Sequence, residues 1–147
     1  MSLKEQLLED MKNAMKDKAA IKKNTVQIVR AAILQVEKDN KITLDDDGIL
    51  EVIAKELKKR RDVLPDYEKS GRQDLIDNLK AEIDLLLRYL PQQLTEEELK
   101  VIVRQAIQET GAASIKDMGR VMQAVMPQVK GRADGKMISG IIKSIMV

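Results

Sequence analysis

Ile76-Asp77-Asn78-Leu79-Lys80-Ala81-Glu82-Ile83-Asp84-Leu85-Leu86-Leu87-Arg88-Tyr89-Leu90-Pro91-Gln92-Gln93-Leu94-Thr95-Glu96-Glu97-Glu98-Leu99 holds the fold in outline. Ile76, Leu79, Ile83, Leu86, Leu87 and Leu90 recur at the three-and-four spacing of one helix face. Pro91 ends that helix, because the residue before a proline avoids helical backbone. Thr95 and Glu98 then stand at capping-box spacing. Glu96 and Glu97 lie in the first turn, where the helix dipole favours carboxylates. Helix, break and newly capped helix make Pro91-Gln92-Gln93-Leu94 the expected domain boundary.

The same period runs outward in both directions. Ser2 and Glu5 form another capping box, and Leu7, Leu8, Met11 and Met15 are the expected inner face of helix 1. Helix 2 is expected to run to about Asp39, with Val26, Val29, Ile33 and Val36 on one side. Asn40-Lys41 breaks it. Thr43 is the expected cap of helix 3, with Asp45, Asp46 and Asp47 in its first turn. A calcium loop needs alternating oxygen ligands and a closing Glu, and the triplet lacks that pattern. Leu50, Ile53, Ala54, Leu57 and Leu64 stripe helix 3, Pro65 is expected to kink it, and Gly71 breaks the pattern before helix 4. Towards the C-terminus, Leu99, Ile102, Val103, Ala106 and Ile107 face inward on helix 5, and Gly111 closes it. Ser114 is the expected cap of helix 6, with Met118, Val121, Met122 and Val125 inward and Pro127 as its end. Asp134 caps a terminal helix whose stripe is Ile138, Ile141, Ile142 and Ile145. No run reads as a strand. The sequence predicts an all-α protein: an N-terminal four-helix region at 1–90 and a small three-helix domain at 95–147.

Composition narrows the chemistry. The chain has 147 residues, no Cys, no His, no Phe and no Trp, and only Tyr67 and Tyr89 are aromatic. Thiol nucleophiles, disulfides, zinc fingers and imidazole bases are excluded together. Base stacking on aromatic platforms is almost excluded. No apolar run approaches the roughly 20 residues of a membrane span, and the N-terminus lacks a signal peptide's apolar region. The expectation is a cytoplasmic protein with no membrane partner, no metal and no cofactor.

Charge is unevenly placed. Residues 1–91 carry 18 Lys and Arg against 18 Asp and Glu. Residues 118–147 carry five cations (Arg120, Lys130, Arg132, Lys136, Lys143) against Asp134 alone. A partner feels charge within about 8–10 Å, so this local excess points to an anionic ligand. Lys136, Gly140 and Lys143 recur on one face of the terminal helix. Gly140 costs up to about 1 kcal/mol of helix stability relative to Ala. Either it relieves a tight helix crossing, or it lets a polyanion backbone come close. Gly131-Arg132-Ala133-Asp134-Gly135-Lys136 has a hinge glycine, a cap and a second glycine. It is not a nucleotide-binding P-loop, which needs four residues between its glycines and Ser or Thr after the Lys. Lys58-Lys59-Arg60-Arg61 spreads around helix 3, near Glu51, Glu56 and Asp62, and reads as a solvated ion-paired face. The methionines of the last two helices suit core filling or an adaptable groove.

Three stretches carry a resemblance: Lys55-Glu56-Leu57-Lys58-Lys59-Arg60-Arg61-Asp62, Tyr67-Glu68-Lys69-Ser70-Gly71-Arg72 and Tyr89-Leu90-Pro91-Gln92-Gln93-Leu94. With Lys130-Gly131-Arg132-Ala133-Asp134-Gly135-Lys136 they make the whole chain resemble the YqeY-like family. Residues 95–147 also resemble the tail domain of GatB, a subunit of the tRNA-dependent amidotransferase. The resemblance implies an all-helical protein whose tail helps dock tRNA. Any carbon–nitrogen ligase chemistry with glutamine as donor would belong to the amidotransferase context, since this chain has no room for the catalytic cradle. The expected function is a non-catalytic tRNA- or RNA-binding accessory protein. Its contacts would be Lys130, Arg132, Lys136 and Lys143, flanked by Arg104 and Arg120, with Gly131, Asp134 and Gly135 shaping the hinge. The alternative is a protein-interaction module that docks on an amidotransferase, synthetase or ribosomal partner.

Overall fold

The computed structural model describes residues 1–146 and is all-α. The chain forms two compact units, Met1–Leu90 and Pro91–Val147, with Val147 outside the described residues.

The first unit contains α1 (Leu3–Lys16), α2 (Ala20–Asn40), α3 (Asp46–Ser70) and α4 (Gln73–Tyr89). Its core is Leu7, Val26, Val29, Ile33, Ile49, Val52, Ile53, Leu57, Leu79, Ile83, Leu86 and Leu90. The Ser2–Glu5 capping box starts α1. Leu7 and Ala14 are its buried residues, whereas Leu8 and Met15 are exposed. The expected inner face is therefore rotated, because Leu3, Leu7, Met11 and Ala14 already fill the contact. Asp45, not Thr43, caps α3, and its carboxylate accepts from the Gly48 N–H at 2.9 Å. Tertiary bonds set that register. Glu37 accepts from the Leu44 N–H at 2.8 Å, and Asp46 accepts from the Leu3 N–H at 3.0 Å. α3 continues past Pro65 to Ser70, where Gly71 takes a left-handed φ of 70°.

Two polar arrangements stiffen this unit. Glu56 is buried and paired with Lys59 at 3.0 Å and Arg60 at 3.3 Å, while Arg60 also faces Glu82 at 3.4 Å. The Tyr89 hydroxyl donates to Asp10 at 2.5 Å. Burial and that carboxylate together push the Tyr89 pKa upward.

The second unit contains α5 (Glu96–Thr110), a 3-10 turn (Ile115–Asp117), α6 (Met118–Val129) and α7 (Gly135–Met146). The three helices pack pairwise around Leu99, Val103, Ala106, Val121, Val125, Val129, Ile138, Ile141 and Ile142. Thr95 caps α5 by accepting from the Glu98 N–H at 3.1 Å, and Gly111 closes it at a φ of 68°. Two expectations change here. Ser114 sits before the 3-10 turn, and α6 starts only at Met118. Pro127 lies inside α6, which runs on to Val129. Proline removes one amide in the last turn, and complete burial of Val129 favours the extra residues. Among the described residues no helix is long and apolar enough to cross a membrane.

Candidate functional site

The connection at 130–134 sets the direction of α7. Gly131 has a φ of 75°, which a side chain resists. Asp134 then accepts from the Lys136 N–H at 2.9 Å, while its carbonyl receives the Ile138 N–H at 3.0 Å. That is an N-cap, and it uses an amide an incoming phosphate would otherwise take. With Ile138, Ile141 and Ile142 buried, the 3.6-residue period turns Lys136, Gly140 and Lys143 outward together. All three are exposed. Met137 and Ser144 complete the outer face. α7 contains no Asp or Glu, and among the described residues neither lysine has an ion-pair partner.

Gly140 lies between the two lysines. A methyl group placed on it would meet nothing within 4 Å. The tight-crossing explanation is thereby ruled out, because no neighbouring helix comes near. The gap is open to solvent. Lys136 and Lys143 are separated by about 10 Å along the axis, from a rise of ~1.5 Å per residue.

The remaining cations have different situations. The Arg132 Nε donates to the Gln92 carbonyl at 3.1 Å, and its own carbonyl receives the Leu94 N–H at 2.9 Å. The Gln93 side chain donates to the Gly131 carbonyl at 2.7 Å and to the Pro91 carbonyl at 3.1 Å. Residues 92–94 and 131–132 are thus clasped by polar bonds. Sequence reading missed Gln92 and Gln93 as partners of the hinge. The only available signal was that both stretches carried the family resemblance. Arg120 pairs with Asp117 at 3.0 Å and reaches the Thr110 carbonyl at 3.4 Å, so it helps hold the α5–α6 connection. Asp117 also accepts from the Ala113 N–H at 2.9 Å, and that bond, followed by Arg120, holds its carboxyl below the usual range. Lys130 is exposed at the end of α6. Arg104 is exposed on α5, a different helix from the lysine pair. Gly135 opens α7 with free space at its Cα.

Comparison with known proteins adds lineage to this geometry. The model of the family described as Yqey-like protein matches residues 4–146. The chain belongs to the YqeY-like family. A relative from Pyrenophora tritici-repentis, named Altered inheritance of mitochondria protein 41, mitochondrial, is 30% identical over 145 residues, covering 95% of this YqeY-like chain and 78% of the relative. The protein of the same name from Kluyveromyces lactis is 28% identical over 140 residues, covering 94% and 72%. An uncharacterized protein of Schizosaccharomyces pombe is 29% identical over 90 residues, covering 61% and 70%. The first two names, which call those relatives mitochondrial, overturn the cytoplasmic expectation. Missing cysteines and membrane spans describe a chain's chemistry. They do not distinguish one aqueous compartment from another.

Proposed function

We propose that this YqeY-like chain is a non-catalytic RNA-binding accessory protein that holds a structured RNA, tRNA first among them, on the outer face of α7. The observation that carries the reading is the uncovered helix surface at Gly140 between the exposed Lys136 and Lys143. A glycine in mid-helix costs stability, and here no packing inside the unit calls for it. A phosphate backbone is the kind of ligand that gains from such a gap. The resemblance of residues 95–147 to the GatB tail supports tRNA in particular. Contact would be mainly to phosphate and shape, since residues 91–147 carry no aromatic side chain for base stacking. Lys130 adds charge at the hinge end, whereas Arg132 and Arg120 serve chiefly to hold their loops.

The test is ultraviolet crosslinking in extract, followed by purification of the full chain with and without RNase. RNA sequencing and mass spectrometry are run on the same sample. Enrichment of structured RNA, lost in the Lys136→Glu and Lys143→Glu double variant, is the expected result. A protein partner that survives RNase with no RNA recovered would favour the docking-module alternative and overturn this one.

A further inference from the structure

α2 carries a second seam, on the side away from the core. Thr25, Val26, Val29 and Ile33 are its buried residues. Ile21, Asn24, Ile28, Ala31, Gln35 and Lys38 are all exposed. Their spacing alternates between three and four residues, the a and d positions of a heptad. Ile28 is 43% exposed and the flanking Leu34 is 63% exposed. Every exposed residue from Ile21 to Gln35 is uncharged. That is unusual in a chain with 34% charged residues. An uncharged, heptad-spaced outer face fits a helix better than it fits water.

We infer that the occupant is a second copy of this chain, with the two α2 helices packed antiparallel about a twofold axis. The seam is self-complementary in that arrangement. Antiparallel packing sets a positions against d positions, so Ile28 faces Ala31 of the second copy at the two central layers. Asn24 faces Gln35 of the second copy, amide against amide, where each can donate and accept. Ile21 meets the aliphatic stem of Lys38 of the second copy at each end. An isologous twofold contact requires each layer to recur with its partners exchanged, and this seam meets that condition. Charge agrees. α2 begins with Lys22 and Lys23 and has no acid in its first turn, while its last turn carries Glu37 and Asp39 around Lys38, with Glu37 already paired to Lys4 at 2.7 Å. Antiparallel packing brings the basic start beside the acidic end of the other copy and opposes the two helix dipoles. A parallel pair would set the two basic starts together. Gln35 now donates to Asp39 at 2.8 Å within its own helix, and that exposed bond is the one the amide layer would replace. The seam is short, so the dimer belongs to the small, weak class of interfaces.

Sedimentation equilibrium of the full chain, from micromolar to near-millimolar concentration, tests the inference. The wild type is expected to pass from monomer to dimer. Ile28→Glu, at an exposed position, is expected to stay monomeric with unchanged helix content by circular dichroism. Adding Ala31→Lys to it should restore the dimer through paired charges across the central layers. The chain has no native cysteine, so crosslinking reads the register. Under oxidation the Asn24→Cys and Gln35→Cys double variant should give covalent dimer, and Asn24→Cys alone should not. A wild type monomeric at every concentration, an Ile28→Glu dimer, or crosslinking by Asn24→Cys alone would each overturn the proposal. The first outcome would leave the seam to a helix of another protein.

Discussion

Gly140 and Asp117 show how much one residue's surroundings decide. Gly140 lies mid-helix, and a methyl group added at its Cα would find nothing within 4 Å. Gly140→Ala should therefore raise stability by about 0.5–1 kcal/mol, measured by urea denaturation. A loss of stability would mean that the open space is not there. The helix cost of this glycine is legible in sequence, but the choice between a helix crossing and an open surface is not, since it depends on where the neighbouring helices lie. Asp117 makes a pH prediction. Its folded-state pKa is depressed from 3.8, mainly by the Ala113 N–H and then by Arg120. A depressed carboxyl stabilises the fold above its unfolded pKa and loses that contribution as pH falls through the folded value. Asp117→Asn should thus lower Tm at neutral pH, with the gap to wild type closing as pH drops below 3.8. A gap that is constant with pH would contradict the assignment.

Among the elements, local chemistry was easy to read and long-range registry was not. The Ser2–Glu5 box and the Thr95 cap each need only one turn of chain, and both appear where expected. The start of α3 offers Thr43, Asp45, Asp46 and Asp47 in close succession, all competent caps. The bonds from Leu44 to Glu37 and from Leu3 to Asp46 select Asp45 from outside the segment. Pro127 reads as a stop because proline lacks an amide, yet burial of Val129 carries α6 two residues further. The clasp between residues 92–94 and 131–132 is the clearest case of hidden structure, because its partners are 38 and 40 residues apart. Removing its most connected side chain gives a direct check. Gln93→Ala should cost about 1 kcal/mol, from the lost hydrogen bonds of its amide. Amide hydrogen exchange at Leu94, whose N–H donates to the Arg132 carbonyl, should rise in the same variant. Unchanged exchange there would show that the clasp does not hold the linker.

At the scale of the molecule, the basic excess after residue 118 was legible from composition, but what each cation does was not. Arg120 and Arg132 looked equivalent to Lys136 and Lys143 in sequence. The fold gives the arginines to Thr110, Asp117 and Gln92, and leaves the lysines on an acid-free helix face. The phosphate contact proposed for this face is read by its counterions, because each neutralised phosphate releases condensed salt. The decisive measurement is the tRNA affinity of the full chain over a salt series, for wild type and for the Lys136→Glu and Lys143→Glu double variant. With about three phosphates engaged, by Lys130, Lys136 and Lys143, log K for the wild type should fall with log salt at a slope of roughly −2 to −3. The double variant should bind more weakly and lose about 1.4–1.8 of that slope, at about 0.7–0.9 per phosphate, with its helix content unchanged. Equal affinity and equal slope in the two proteins would contradict an RNA-binding face on α7.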